Sequence, residues 1–114
     1  MSLNLKGTVS SLVGAVRALR SEYDEHGPGR VDESFYQKVD AAFQFLAEVI
    51  RNKNAELEDR EVLAAAQTCK DLCYRCVTDP AGLCFVTGEA GLVPRKDLLD
   101  AFTNALQFLE EFAA

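Results

Sequence analysis

The sequence contains one histidine, one methionine, no tryptophan and three prolines in 114 residues, and its twelve Lys and Arg are outnumbered by eighteen Asp and Glu. Each shortage removes a class of function. With His26 alone, one chain cannot assemble a His-rich metal centre, an HExxH zinc site or the carboxylate and ExxH ligand pairs of a di-iron bundle. The deficit of cations leaves a net charge of -6, which opposes binding to phosphate backbones and anionic lipid head groups, because both need clustered Lys and Arg. Nucleic acid and membrane surfaces are therefore not expected partners. No window approaches the roughly 20 consecutive apolar residues of a bilayer span, and the start, Met1-Ser2-Leu3-Asn4-Leu5-Lys6, lacks the basic run and apolar stretch of a secretory signal. A soluble, cytoplasmic protein is the expectation. Gly82, Gly88 and Gly91 have neither phosphate-loop nor dinucleotide-fingerprint spacing, and no Gly-Lys-Ser or Gly-Lys-Thr occurs, so ATPase and dehydrogenase chemistry have no support.

What the chain does have is apolar residues, 48% of the total, enough for one core in a single helical domain spanning residues 1–114. Their spacing is helical. Leu5, Val9, Leu12, Val16, Leu19 and Tyr23 step by four and three, which predicts helix 1 over about 3–24. His26-Gly27-Pro28-Gly29-Arg30 breaks it. Acidic residues at Asp32-Glu33-Ser34 favour a helix start, and Phe35, Val39, Ala42, Leu46 and Val49 carry helix 2 to about Asn52, with a second file of Tyr36, Phe43 and Ile50. Val62, Ala66, Cys69, Cys73 and Cys76 define helix 3 over about 56–78, ended by Asp79-Pro80. Leu98, Phe102, Ala105, Leu109 and Phe112 define helix 4, with Pro94 suited to its first turn. Between them, residues 78–93 hold Pro80 and three glycines and show no helical period, so a long loop is predicted, with its apolar cluster Leu83-Cys84-Phe85-Val86 folded back over one end of the helices. The predicted fold is all-α: an antiparallel four-helix bundle with a long loop between helices 3 and 4.

The four cysteines read C-x3-C-x2-C-x7-C at Cys69, Cys73, Cys76 and Cys84, outwardly like a thiolate metal site. On an intact helix, however, Cys69 and Cys76 stand about 10 Å apart along the axis, whereas thiolates on one tetrahedral ion come within about 4 Å of each other. The first three also continue the file of Val62 and Ala66, which places them in the core as small apolar side chains. Cys73-Tyr74-Arg75-Cys76 is a poor redox pair, because it lies near a helix C-terminus where the dipole disfavours a thiolate. A Cys84/His26 dyad would need two loops to meet, and a hydrolase has only the length of the 78–93 loop behind it. The acidic groups Glu22, Asp24, Glu25 and Glu56, Glu58, Asp59, Glu61 lack the EF-hand pattern and are expected to be solvated helix ends.

One feature of helix 1 departs from an ordinary bundle helix: residues 7–16 carry no charge. Gly7, Ser11, Gly14 and Ala18 form a stripe about 200° from the start of the apolar seam, where charged residues would normally face water. Two mid-helix glycines cost about 1 kcal/mol each relative to alanine, which close approach of another helix would offset. The stripe is accordingly the candidate partner-binding surface. The expected function is that of a non-enzymatic helical interaction protein (adaptor, chaperone-like binder, immunity or accessory factor) without a cofactor, self-associating as a homodimer, its acidity suited to a basic partner surface. The alternative is a small thiol protein that binds copper, zinc or an iron-sulfur cluster through Cys69, Cys73, Cys76 and Cys84.

Overall fold

A computed structural model describes residues 5–27, 30–53, 56–78, 85–88, 91–94 and 96–114. Four helices, α1 (Leu5–His26), α2 (Glu33–Arg51), α3 (Leu57–Thr78) and α4 (Lys96–Ala113), make an all-α bundle, and two short strands, β1 (Phe85–Gly88) and β2 (Gly91–Pro94), lie between the last two helices. The helix ends follow from local chemistry. Weak helix formers at residues 7–11 do not prevent α1 from forming there, because Val9 and Leu12 bury completely and packing outweighs propensity. α1 stops where Gly27 turns to φ 90°, a left-handed conformation that only glycine adopts cheaply, and the Gly27 N–H still donates to the Tyr23 carbonyl at 2.8 Å. At the start of α2, the Asp32 carboxylate accepts the Ser34 N–H at 2.8 Å, an N-cap that satisfies one of the free donors of the first turn. Val31, just before that cap, is buried with the core, in the position from which a side chain staples the entry to a helix.

The start of α3 corrects the expectation that its acidic residues are simply solvated. Asp59 is buried. Its carboxylate turns back to accept the Glu56 N–H at 2.9 Å and pairs with Lys53 Nζ at 3.1 Å, so it occupies an otherwise unsatisfied donor of the first turn. The Glu56 N–H, followed by Lys53, holds the Asp59 carboxyl below its ordinary range, against the opposing effect of burial.

Across the helices the four-three files meet in one core cluster that draws on all four. Val9, Leu12, Val16 and Leu19 of α1, Val39 and Leu46 of α2, and Val62, Ala66, Cys69, Cys73 and Cys76 of α3 are fully buried. Such a valine or leucine contributes about 1.5–3 kcal/mol. α4 adds Phe102 and Leu109, also fully buried, while Leu98, Ala105 and Phe112 are half-buried against the cluster. α1 contacts the other three helices and α3 contacts both α2 and α4, so α1 has one flank against α2, one against α4, and a back that faces away from all of them.

Between α3 and α4, where an uninterrupted loop is expected from the sequence, the chain carries two strands. β1 and β2 pair antiparallel, in a register that sets Phe85 opposite Pro94 and Gly88 opposite Gly91. Pro94, expected in the first turn of a helix, instead ends β2, and α4 begins at Lys96. A proline is tolerated there because a two-stranded sheet has only edge strands, on which a missing N–H need not break a ladder bond. Leu83 and Cys84 lie outside the described residues, as do the side chains of Phe85 and Val86, and with them the expected folding back of that cluster.

Candidate functional site

The back of α1 is built from residues whose side chains do little. Gly7, Ser11, Gly14 and Ala18 are all exposed. A methyl group placed on Gly14 would meet nothing within 4 Å, so no helix of this chain approaches that position. Ser11 donates its hydroxyl hydrogen bond to the Gly7 carbonyl one turn back, at 3.1 Å, so the hydroxyl is partly satisfied by the helix itself. Toward α4 the stripe opens into a shallow groove of about 200 Å³, lined by Ser10, Val13, Arg17, Glu110, Ala113 and Ala114. Its one ion pair, Arg17 Nε to Glu110 Oε1, is long at 3.9 Å and exposed on both sides, and a pair of that kind contributes little.

The thiols sit in a different environment. Cys69, Cys73 and Cys76 are free and buried. Burial pushes the Cys69 thiol up to about 12. Cys73 is raised further, by burial first and then by Cys76 and Cys69, with Arg20 opposing. A thiolate is what attacks a disulfide or holds a soft metal, and these surroundings disfavour it. Among the described residues the three sulfurs do not come together within ligating distance; the group that does is Glu22, Glu25 and His26 on the last turn of α1. There His26 Nε2 lies 3.2 Å from Glu22 Oε2, with Glu25 and His26 exposed and Glu22 half-buried. Cys84, the fourth member of the thiolate alternative and of the dyad with His26, lies outside the described residues.

Two cross-helix features gave no warning in the sequence. Tyr36 of α2 and Tyr74 of α3 pack edge to face, with ring centroids 5.2 Å apart at 64°. Lys70 of α3 reaches across to Asp40 of α2 at 3.6 Å and lies 4.9 Å from the centre of the Phe43 ring. Both depend on the register of α2 against α3, which heptad-like spacing within one helix does not reveal. No family model matches this chain, and no curated protein or solved structure matches it.

Proposed function

We propose that the chain is a non-enzymatic helical interaction protein that pairs with a second copy of itself through the back of α1. The observation that carries this is Gly14. It sits in the middle of a 22-residue helix, costs about 1 kcal/mol relative to alanine there, and among the described residues has no neighbour that needs the space. A second α1 crossing at that point would use the space, since small residues let helix axes approach to the low end of the usual 8–10 Å. Charge favours the same surface: two copies at -6 each repel, and residues 7–16 are where they can meet with least like-charge contact.

A face of small residues supplies too little area alone against the roughly 800 Å² per partner of an ordinary stable interface. Its edges supply the rest. On one side lies the groove toward α4, with Ala113 in its lining. Phe45 of α2 is a further apolar residue left half exposed, nine residues and hence about 180° around that helix from Tyr36, which packs toward α3. A hollow on one face suits an isologous two-fold pair that closes on itself.

The test is solution mass by light scattering across the micromolar range. The wild type is expected at twice its chain mass of 12.5 kDa, and Gly14→Glu at the chain mass with unchanged helicity. A wild type that stays monomeric throughout would remove self-association from the account.

A further inference from the structure

Two of the protein's aromatic rings are covered by its own cations. Lys70 spans the Phe43 ring and the Asp40 carboxylate. Arg20 lies 5.0 Å over the Phe102 ring while holding Asp24 at 3.3 Å. Each is the same unit, a basic side chain shared between an aromatic face and a carboxylate, which is how a cation gains both ring-quadrupole and ionic attraction.

The α2–α3 surface carries the acceptor half of a third such unit. Tyr36 and Tyr74 present two rings inclined at 64°, Tyr74 is 52% exposed, and Asp71 is exposed beside them on α3. Desolvation first, then the charges of Asp40 and Asp71, push the Tyr36 hydroxyl above its ordinary value, which places both carboxylates in the electrostatic neighbourhood of the pair. Asp40 is compensated by Lys70. Asp71 accepts only a neutral amide, from Gln67 Nε2 at 2.8 Å. Among the described residues no cation lies over either tyrosine ring and no ion pair forms on Asp71.

We propose that Tyr36, Tyr74 and Asp71 form a receptor for an arginine side chain of a basic protein partner. Arginine fits better than lysine. Its planar guanidinium stacks on a ring while its fork of N–H donors meets a carboxylate, and it is more weakly hydrated than an ammonium. The net charge of -6 draws a basic partner toward the surface from a distance. The proposal rests on the interaction-protein class but not on α1, so a chain that never self-associates leaves it standing.

The experiment is an NMR titration of the whole chain with three short peptides, identical except for a central arginine, lysine or citrulline. Citrulline keeps the shape of arginine and removes the charge. The arginine peptide is expected to saturate on the order of millimolar, with shifts concentrated at Tyr36, Tyr74 and Asp71, and to bind at least about threefold tighter than lysine. The citrulline peptide is expected not to saturate. Asp71→Asn and Tyr74→Ala should each weaken the arginine peptide by about tenfold, which corresponds to about 1.4 kcal/mol, with helicity checked by circular dichroism. Asp71 is exposed, so its variant remains informative even where Tyr74→Ala loses structure. Equal binding of the citrulline peptide, shifts that map elsewhere, or an Asp71→Asn variant that binds like wild type would each overturn the proposal.

Discussion

α3 and α1 each carry a file of small, uncharged side chains at four-three spacing, and the two files have opposite surroundings. Ala66, Cys69, Cys73 and Cys76 are fully buried, whereas Gly7, Ser11, Gly14 and Ala18 face solvent. The α3 file lacks charge because a core position cannot hold an unpaired ion without a penalty of several kcal/mol. No such reason applies to α1, whose exposed back could carry lysine or glutamate at no cost. Absence of charge is therefore explained by burial in one helix and, in the proposal, by self-pairing in the other.

The largest difference between the two files should appear when the same charge is placed in each. Cys69→Asp puts a carboxylate among apolar neighbours and is expected to cost more than about 3 kcal/mol in chemical denaturation, the range for an uncompensated buried charge. Gly14→Asp, at an exposed site, should change monomer stability by less than about 0.5 kcal/mol. Comparable losses at both positions would mean that the back of α1 belongs to the core.

A smaller effect separates the hydroxyl from the thiol. Cys69→Ser should destabilise by about 1 to 3 kcal/mol, because burial leaves the hydroxyl without a partner, and Cys69→Ala by less. Native-state labelling gives an independent reading of the same burial: with its thiol pushed up to about 12, Cys69 should react with a thiol reagent only once denaturant exposes it. Rapid labelling in native buffer would contradict the assignment of α3's cysteines to the core.

Acidic residues show a similar divide between α3 and α1. Asp59→Asn should cost about 1 kcal/mol, since the N3 carboxylate and its ion pair with Lys53 are lost together. Because the folded-state Asp59 carboxyl lies below its ordinary value of 3.8, its contribution is present above that pH and disappears as pH falls through the folded value. Acid unfolding of wild type and Asp59→Asn should therefore converge as the pH falls through that folded value. Glu25→Gln at the exposed end of α1 should change stability by less than about 0.5 kcal/mol. In the opposite direction, Gly14→Ala is expected to stabilise the monomer by about 0.5 to 1 kcal/mol through helix propensity.

Much of this architecture is legible from spacing alone. The files from Leu5 to Tyr23 and from Val62 to Cys76 predict α1 and α3 because a helix of 3.6 residues per turn returns to the core every three or four positions, and Gly27, which ends α1, is a breaker legible in the sequence. The β hairpin is not legible for a physical reason. Its strands are four residues long, too short for alternation to register, and Glu89-Ala90 between Gly88 and Gly91 lacks the Asn-Gly or Asp-Gly chemistry that marks a two-residue turn. Asp59 escaped notice because a carboxylate that caps its own helix looks, in sequence, like any other acid in a polar segment. The Tyr36–Tyr74 pair depends on which turns of α2 and α3 lie side by side, a property of two helices that neither sequence states. The stripe on α1 was visible as a pattern, and the structure adds that the surface is exposed and roomy at Gly14.

Whether that surface meets a copy of itself is decided by covalent capture. In an isologous pair the residue at the crossing point lies near its own counterpart, and close-packed helices bring such Cα atoms toward the roughly 4.4–6.8 Å that a disulfide spans. Gly14→Cys in a Cys84→Ser background, oxidised under native conditions, is predicted to form a disulfide-linked dimer of unchanged helicity, while Gln37→Cys, on the exposed surface of α2, does not. A chain with Gly14→Cys that remains monomeric, or that cross-links no faster than the Gln37→Cys control, would contradict pairing through the back of α1.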